Sequence, residues 1–140
     1  MGSLAPAALL LGLIVVLAGC GSDGPLGDDA QASTARYDLT VTYWREGKGG
    51  PSRTASLTCD PIGGTHLEAE KACAALDAHA EALHAVPGDL ACAEIYGGDQ
   101  VAEVTGVTPS TGSLRALFDR TNGCEIARWD ALAPLIELPA

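Results

Sequence analysis

Large side chains are scarce in this chain. One phenylalanine, two tryptophans, three tyrosines and a single methionine stand in 140 residues. A core built from such a stock closes mostly around aliphatic residues and alanine, and a small domain of that kind needs covalent staples. Basic residues are scarce too. Lys and Arg total 8 against 18 for Asp and Glu, a formal charge of −10. Binding to nucleic-acid phosphates draws on counterion release at a basic surface, so no nucleic-acid partner is expected. The acidity favours solubility and a neutral or basic partner.

Several catalytic and metal-binding patterns are missing as well. No C-x-x-C pair supports a zinc site. His66, His79 and His84 form neither an i,i+4 pair nor H-E-x-x-H. The nucleophile elbow G-x-S-x-G and the phosphate loop are both absent. The chain therefore reads as no enzyme, with no metal and no cofactor. Tyr43 and Trp44 read as sheet packing rather than a sugar-binding face, and Asp28 and Asp29 as linker rather than calcium ligands.

Apolar runs are short. Leu9–Leu17, "LLLGLIVVL", is too short to span a bilayer and suits the apolar region of a signal peptide. The "LAGC" that closes it, Leu17–Cys20, resembles a bacterial lipobox, in which the cysteine is lipidated and becomes the mature N-terminus. Residues 1–19 are thus expected to be a lipoprotein signal peptide and Cys20 the lipidation site. No Lys or Arg precedes the run, so either the true start is displaced or the initiator amine is expected to serve as the only positive charge. Residues 20–36, rich in Gly, Ser, Asp and Ala, read as a flexible linker and 37–140 as the folded domain. The expected location is the bacterial cell envelope, on its extracytoplasmic face, with the membrane held through the lipid on Cys20. The alternative is an ordinary secretory signal and a secreted protein.

Five cysteines occur. With Cys20 assigned to the lipid, Cys59, Cys73, Cys92 and Cys124 form an even set, which in an exported domain reads as two disulfides. Spacing leaves all three connectivities open.

The alternating "YDLTVTYW", Tyr37–Trp44, predicts a strand, and "SRTASLTC", Ser52–Cys59, its return after the turn "REGKGGP". Thr65 with Glu68 three residues on predicts a capping box and a helix from His66 to about Ala85, burying Leu67, Ala72, Cys73, Leu76, Ala80 and Leu83. "QVAEVTGV" and "SLRALFDR" are further strand candidates. The tail "LAPLIELP" reads as a last edge strand with prolines at its ends. Strands around one substantial helix define an α+β domain with an antiparallel sheet. One stretch fits neither period: "ACAEIYGG", Ala91–Gly98, places a cysteine beside a segment that cannot fold alone.

Three blocks carry a resemblance. "LTCDPIGGTHLEAEKACAAL", Leu57–Leu76, joins L-T-C-x-P, a glycine turn, T-H and an alanine-rich helix with A-C-A-x-L. Cys92 is followed by Tyr96, and Asn122 and Cys124 form N-x-C. Together they resemble the subtilisin inhibitor-like family of bacterial serine-protease inhibitors. The resemblance implies a five-stranded antiparallel sheet with one long and one short helix, the pairs Cys59–Cys73 and Cys92–Cys124, and dimers formed through the sheet. It implies a subtilisin-like serine-protease partner, bound by a substrate-like loop of Cys92, Ala93, Glu94, Ile95 and Tyr96, with the scissile bond between Glu94 and Ile95 and with Asn122 as loop support; the Glu94 carboxylate itself suits a glutamate-specific protease with a basic pocket. Departures from the family pattern are Glu94 itself, an acid where nonacidic residues are usual; Gly97 and Gly98, expected to loosen the loop; the absence of the family's Trp from the following hairpin; and Arg120, where an aromatic is expected. The alternative function is a noninhibitory envelope binding module that kept the scaffold after its loop changed.

Overall fold

The computed structural model describes Gly2 and residues 35–140. The expected signal peptide apart from Gly2, the expected lipidation site Cys20 and most of the expected linker lie outside the described residues. Arg36, at the end of the expected linker, is already part of the domain. Its N–H donates to the Cys59 carbonyl at 2.9 Å, and its guanidinium pairs with Asp60 at 3.0 Å and with Asp77.

Strand β1, Tyr37–Trp44, lies at the centre of one five-stranded sheet. On one side it pairs with β2, Ser52–Cys59, and β2 pairs with the two-residue β3, Gly63–Gly64. On the other side it pairs with β4, Val101–Thr108, which pairs with β5, Gly112–Phe118. The order is β3-β2-β1-β4-β5 and every pairing is antiparallel. The period of two sorts the faces. Leu39, Val41, Leu57, Val104 and Phe118 point into the core, whereas Thr40, Thr42, Glu103 and Arg115 lie on the other face. The β4–β5 hairpin closes on Gly112, whose φ of 69° is one glycine adopts without strain.

Helices cover the core face. Helix α1, Ala69–Ala78, runs into a 3₁₀ turn at Ala80–Leu83. It buries Ala72, Cys73 and Leu76 and packs mainly on α3, Ala133–Ile136. Helix α2, Gly123–Ala131, packs against the 3₁₀ turn, β5 and α3, and its Trp129 is fully buried. Trp129 donates its indole N–H to Glu137 Oε1 at 2.7 Å, so the largest core side chain is also hydrogen-bonded. Truncating such a residue to alanine costs about 3–5 kcal/mol. Arg128 is buried beside it with partners on three sides. Nε donates to the Ala82 carbonyl at 2.7 Å, and Nη1 to the Leu117 carbonyl at 2.8 Å and to Glu125 at 2.9 Å. Its guanidinium also lies 4.1 Å from the Phe118 ring centre. A buried cation without such partners would be strongly destabilising, and here it ties α2 to β5 and to the 3₁₀ turn.

The first two strands run as the alternation predicts, and both disulfides, Cys59–Cys73 and Cys92–Cys124, are formed. Three local expectations are corrected. The first helix begins at Ala69, not His66, because Thr65 is bound to the sheet instead of capping. Its N–H donates to the Ser56 carbonyl at 2.9 Å, and its hydroxyl accepts from the Ser56 N–H at 3.0 Å. Leu67, expected in the core, is consequently 78% exposed. The helix ends at Ala78, seven residues before the expected limit, as the chain tightens into the 3₁₀ turn. The tail is helical rather than a strand, since Pro134 occupies the first turn of α3, where its missing N–H has no helical partner to lose. His66 is a structural residue. Its Nδ1 accepts from the Glu68 N–H at 3.2 Å, which leaves Nε2 to donate to the Leu135 carbonyl at 2.9 Å. Among the described residues no helix is long and apolar enough to cross a membrane.

Candidate functional site: a loop tethered on both sides of Glu94

The segment 91–98 has no helical or strand pairing of its own. Its shape comes from its neighbours. Cys92 is bonded to Cys124 on the first turn of α2. The next residue, Ala93, accepts two hydrogen bonds on its carbonyl, from Gly123 N–H at 2.8 Å and from Ile95 N–H at 2.9 Å. The second of these spans only two residues and makes Glu94 the apex of a γ-turn. Among the described residues Asp60 alone, apart from glycines, has a positive φ, so this is the common inverse form rather than the strained one.

The bend leaves the loop side chains in solvent. Glu94 is exposed, Ile95 is 56% exposed and Tyr96 64%. An apolar side chain so free of the core does little for folding and is available to a partner. The Tyr96 hydroxyl donates to the Asp99 carboxylate. That bond, then lost hydration, then the carboxylate's charge, push the phenol above its ordinary range.

Beyond the apex the loop is held again. The N–H of Gly97 donates to the Arg120 carbonyl at 2.7 Å, and Arg120 Nε donates back to the Gly97 carbonyl at 3.1 Å. A Cβ at Gly97 would fall 2.9 Å from both Arg120 Nε and Ile126 Cδ1. Gly98 has φ 128°, a conformation other residues rarely adopt. The two glycines therefore do not loosen this loop. They permit the close approach and the turn that pin it.

The supporting segment is shaped by short polar side chains. Asp119 accepts from the Thr121 N–H at 3.0 Å and from its hydroxyl at 2.6 Å. Asn122 then caps α2, its Oδ1 accepting from the N–H groups of Cys124 and Glu125, both at 3.0 Å. That cap sets the direction of Gly123 N–H and of Cys124, the two groups that reach the loop. Asn122 thus supports the loop through the helix start, while the direct backbone bond comes from Gly123. Asn122 and Glu125 also line an open hollow of about 700 Å³ beside Glu94 and Ile95.

All five sequence-expected loop residues stand together here, with Asn122 and both cysteines of the second disulfide. Sequence reasoning missed Gly123 and the supporting role of Arg120. A signal for the helix that presents Gly123 exists in the chain, namely Asn122 followed by Glu125 and then Ile126, Trp129 and Leu132 at helical spacing. No group of three or more His, Cys, Asp or Glu that could hold a metal ion stands among the described residues.

The described fold is thus a disulfide-stapled antiparallel sheet that displays one exposed, bent loop held at both ends. The chain belongs to the subtilisin inhibitor-like family, whose model matches residues 32–121, and its members are protease inhibitors rather than enzymes. The matched stretch ends one residue before Asn122. Five chains of solved structures match. One of them is the Streptomyces caespitosus sermetstatin, solved in complex with Bacillus licheniformis subtilisin, at 24% identity over 66% of this chain and 89% of that one, with a TM-score of 0.37. No curated protein matches.

Proposed function

We propose that this protein inhibits an extracytoplasmic serine protease by presenting Glu94–Ile95 as the scissile bond, and that its acidic apex directs it to glutamate-specific enzymes. The observation that carries this reading is the pair of tethers around Glu94. An extended peptide adds to a protease cleft through its backbone, and a flexible one is cut and released. A loop already ordered loses little entropy on binding and keeps the cleaved ends together so that the bond can reform.

The Glu94 side chain supports the choice of partner. A carboxylate entering an apolar or acidic pocket loses hydration without compensation, whereas a basic pocket pairs with it. Subtilisin-like and trypsin-like pockets are therefore poor hosts. On the same reading Cys20 carries lipid that holds the domain at the envelope surface. A homodimer forms through the outer sheet face, where Val107 and Leu117 are exposed among threonines.

Titration of the purified domain against glutamate-specific, subtilisin-like and trypsin-like serine proteases tests the reading. Tight inhibition is expected for the first, and much weaker inhibition for the other two. Absence of inhibition across all three overturns it in favour of a binding module.

A further inference from the structure

We propose that Arg120 is the positioning residue that holds the amine side of the loop in register after cleavage, and so decides whether the protein acts as an inhibitor or as a slow substrate. The inference rests on Glu94–Ile95 being the scissile bond. When the protease serine takes the acyl group of Glu94, the peptide bond breaks and the amine of Ile95 is released. For inhibition that amine must return to the acyl ester, reform the peptide bond and free the serine hydroxyl before water completes hydrolysis.

The two new ends are held by different means. The acyl end is covalently anchored one residue from Ala93, through Cys92–Cys124, and the Ala93 carbonyl is bonded to Gly123. The amine end has no covalent staple nearby. Its first attachment to the supporting segment is Gly97, held by the Arg120 carbonyl at 2.7 Å and by Arg120 Nε at 3.1 Å. The Arg120 side chain is itself fixed. Its guanidinium lies 5.6 Å from the ring centre of buried Trp129, and Nη1 is 3.4 Å from Asp130. Constraint therefore passes from the core at Trp129, through Arg120, to Gly97 and the amine of Ile95. Gly97 is part of the device, since a Cβ there would meet Nε at 2.9 Å.

Arg120→Ala keeps the backbone bond to Gly97 and removes the side-chain bond. The readout is the equilibrium ratio of cleaved to intact inhibitor, measured by mass spectrometry with catalytic protease. Wild type is read with a glutamate-specific enzyme, and the Glu94→Lys background with trypsin. Arg120→Ala should raise that ratio and speed loss of inhibition by roughly tenfold, the effect of one charge-assisted hydrogen bond. Arg120→Lys, which retains a cationic donor, should restore part of the difference. Gly97→Ala, which displaces the guanidinium, should mimic Arg120→Ala even if that variant folds poorly. Cleavage must stay confined to Glu94–Ile95 with the melting temperature near wild type. Unchanged ratios in the Arg120→Ala and Gly97→Ala variants overturn the proposal, as does cleavage scattered over many bonds, which reports general loosening. A wild type that inhibits neither enzyme class in either background overturns instead the reading of the loop itself.

Discussion

Gly123 donates its backbone N–H to the carbonyl of Ala93 at 2.8 Å, fixing the loop one residue before Glu94. The same carbonyl closes the γ-turn with Ile95. One acceptor thus joins the loop's local bend to the first turn of α2. Rigidity and display are separated: the backbone is restrained and the Glu94 side chain is left free. Specificity can then be changed without disturbing the fold.

Exchange of Glu94 follows directly. Glu94→Lys should shift preference toward trypsin-like enzymes and Glu94→Met toward subtilisin. Removing a mismatched carboxylate from a desolvated pocket is worth several kcal/mol, or roughly two or more orders of magnitude in affinity. Inhibition constants across the panel check this. Melting temperatures should stay close to wild type, because an exposed loop residue contributes little to the core.

The two disulfides should separate function from stability. Their sequence separations are 14 and 32, for which loop closure predicts about 3 kcal/mol and somewhat under 4 kcal/mol. Removing Cys59–Cys73 should lower the urea midpoint while the surviving folded fraction still inhibits. Removing Cys92–Cys124 should lower the midpoint by a similar amount and also turn the loop into an ordinary substrate. Equal inhibition by both folded double variants would deny the second bridge its role at the loop.

Glu103 supplies a pH dependence. It sits on the outer sheet face with Arg115 at 3.2 Å and Lys48 at 3.5 Å. The Arg115 hydrogen bond, with the Arg115 charge and then the Lys48 bond and charge, outweighs lost hydration and holds its carboxyl below the ordinary carboxylate range. A carboxyl depressed in the folded state adds stability above its unfolded value and loses it as pH falls through the folded one. Urea midpoints measured from pH 7 to pH 3 should therefore fall for the wild type, and fall less steeply for Glu103→Gln.

Lipid anchoring is tested through Cys20. The mature wild-type protein should partition with membranes. Cys20→Ser should release it or leave it unprocessed. A soluble mature protein carrying an unmodified Cys20 would sink the anchor.

Sequence by itself determined the strands. Tyr37–Trp44 and Ser52–Cys59 alternate with period two, and that local pattern suffices because each residue's face is set by its parity. The family blocks also carried the disulfide pairing, which spacing alone left open. Sequence did not determine the limits of the first helix. Thr65 has a cap's chemistry, but a strand neighbour at Ser56 competes for it, and that competitor is known only once the sheet has formed. Nor did it determine the tail, where Pro134 is compatible with both a strand end and a helix start until Leu135 and Ile136 find the core. The loop is the extreme case. Two glycines read as losses of stiffness along the chain, and Arg120 as a departure from an expected aromatic. Tertiary structure brings Arg120 against Gly97 across 23 positions. There the missing side chain becomes the space that the guanidinium occupies.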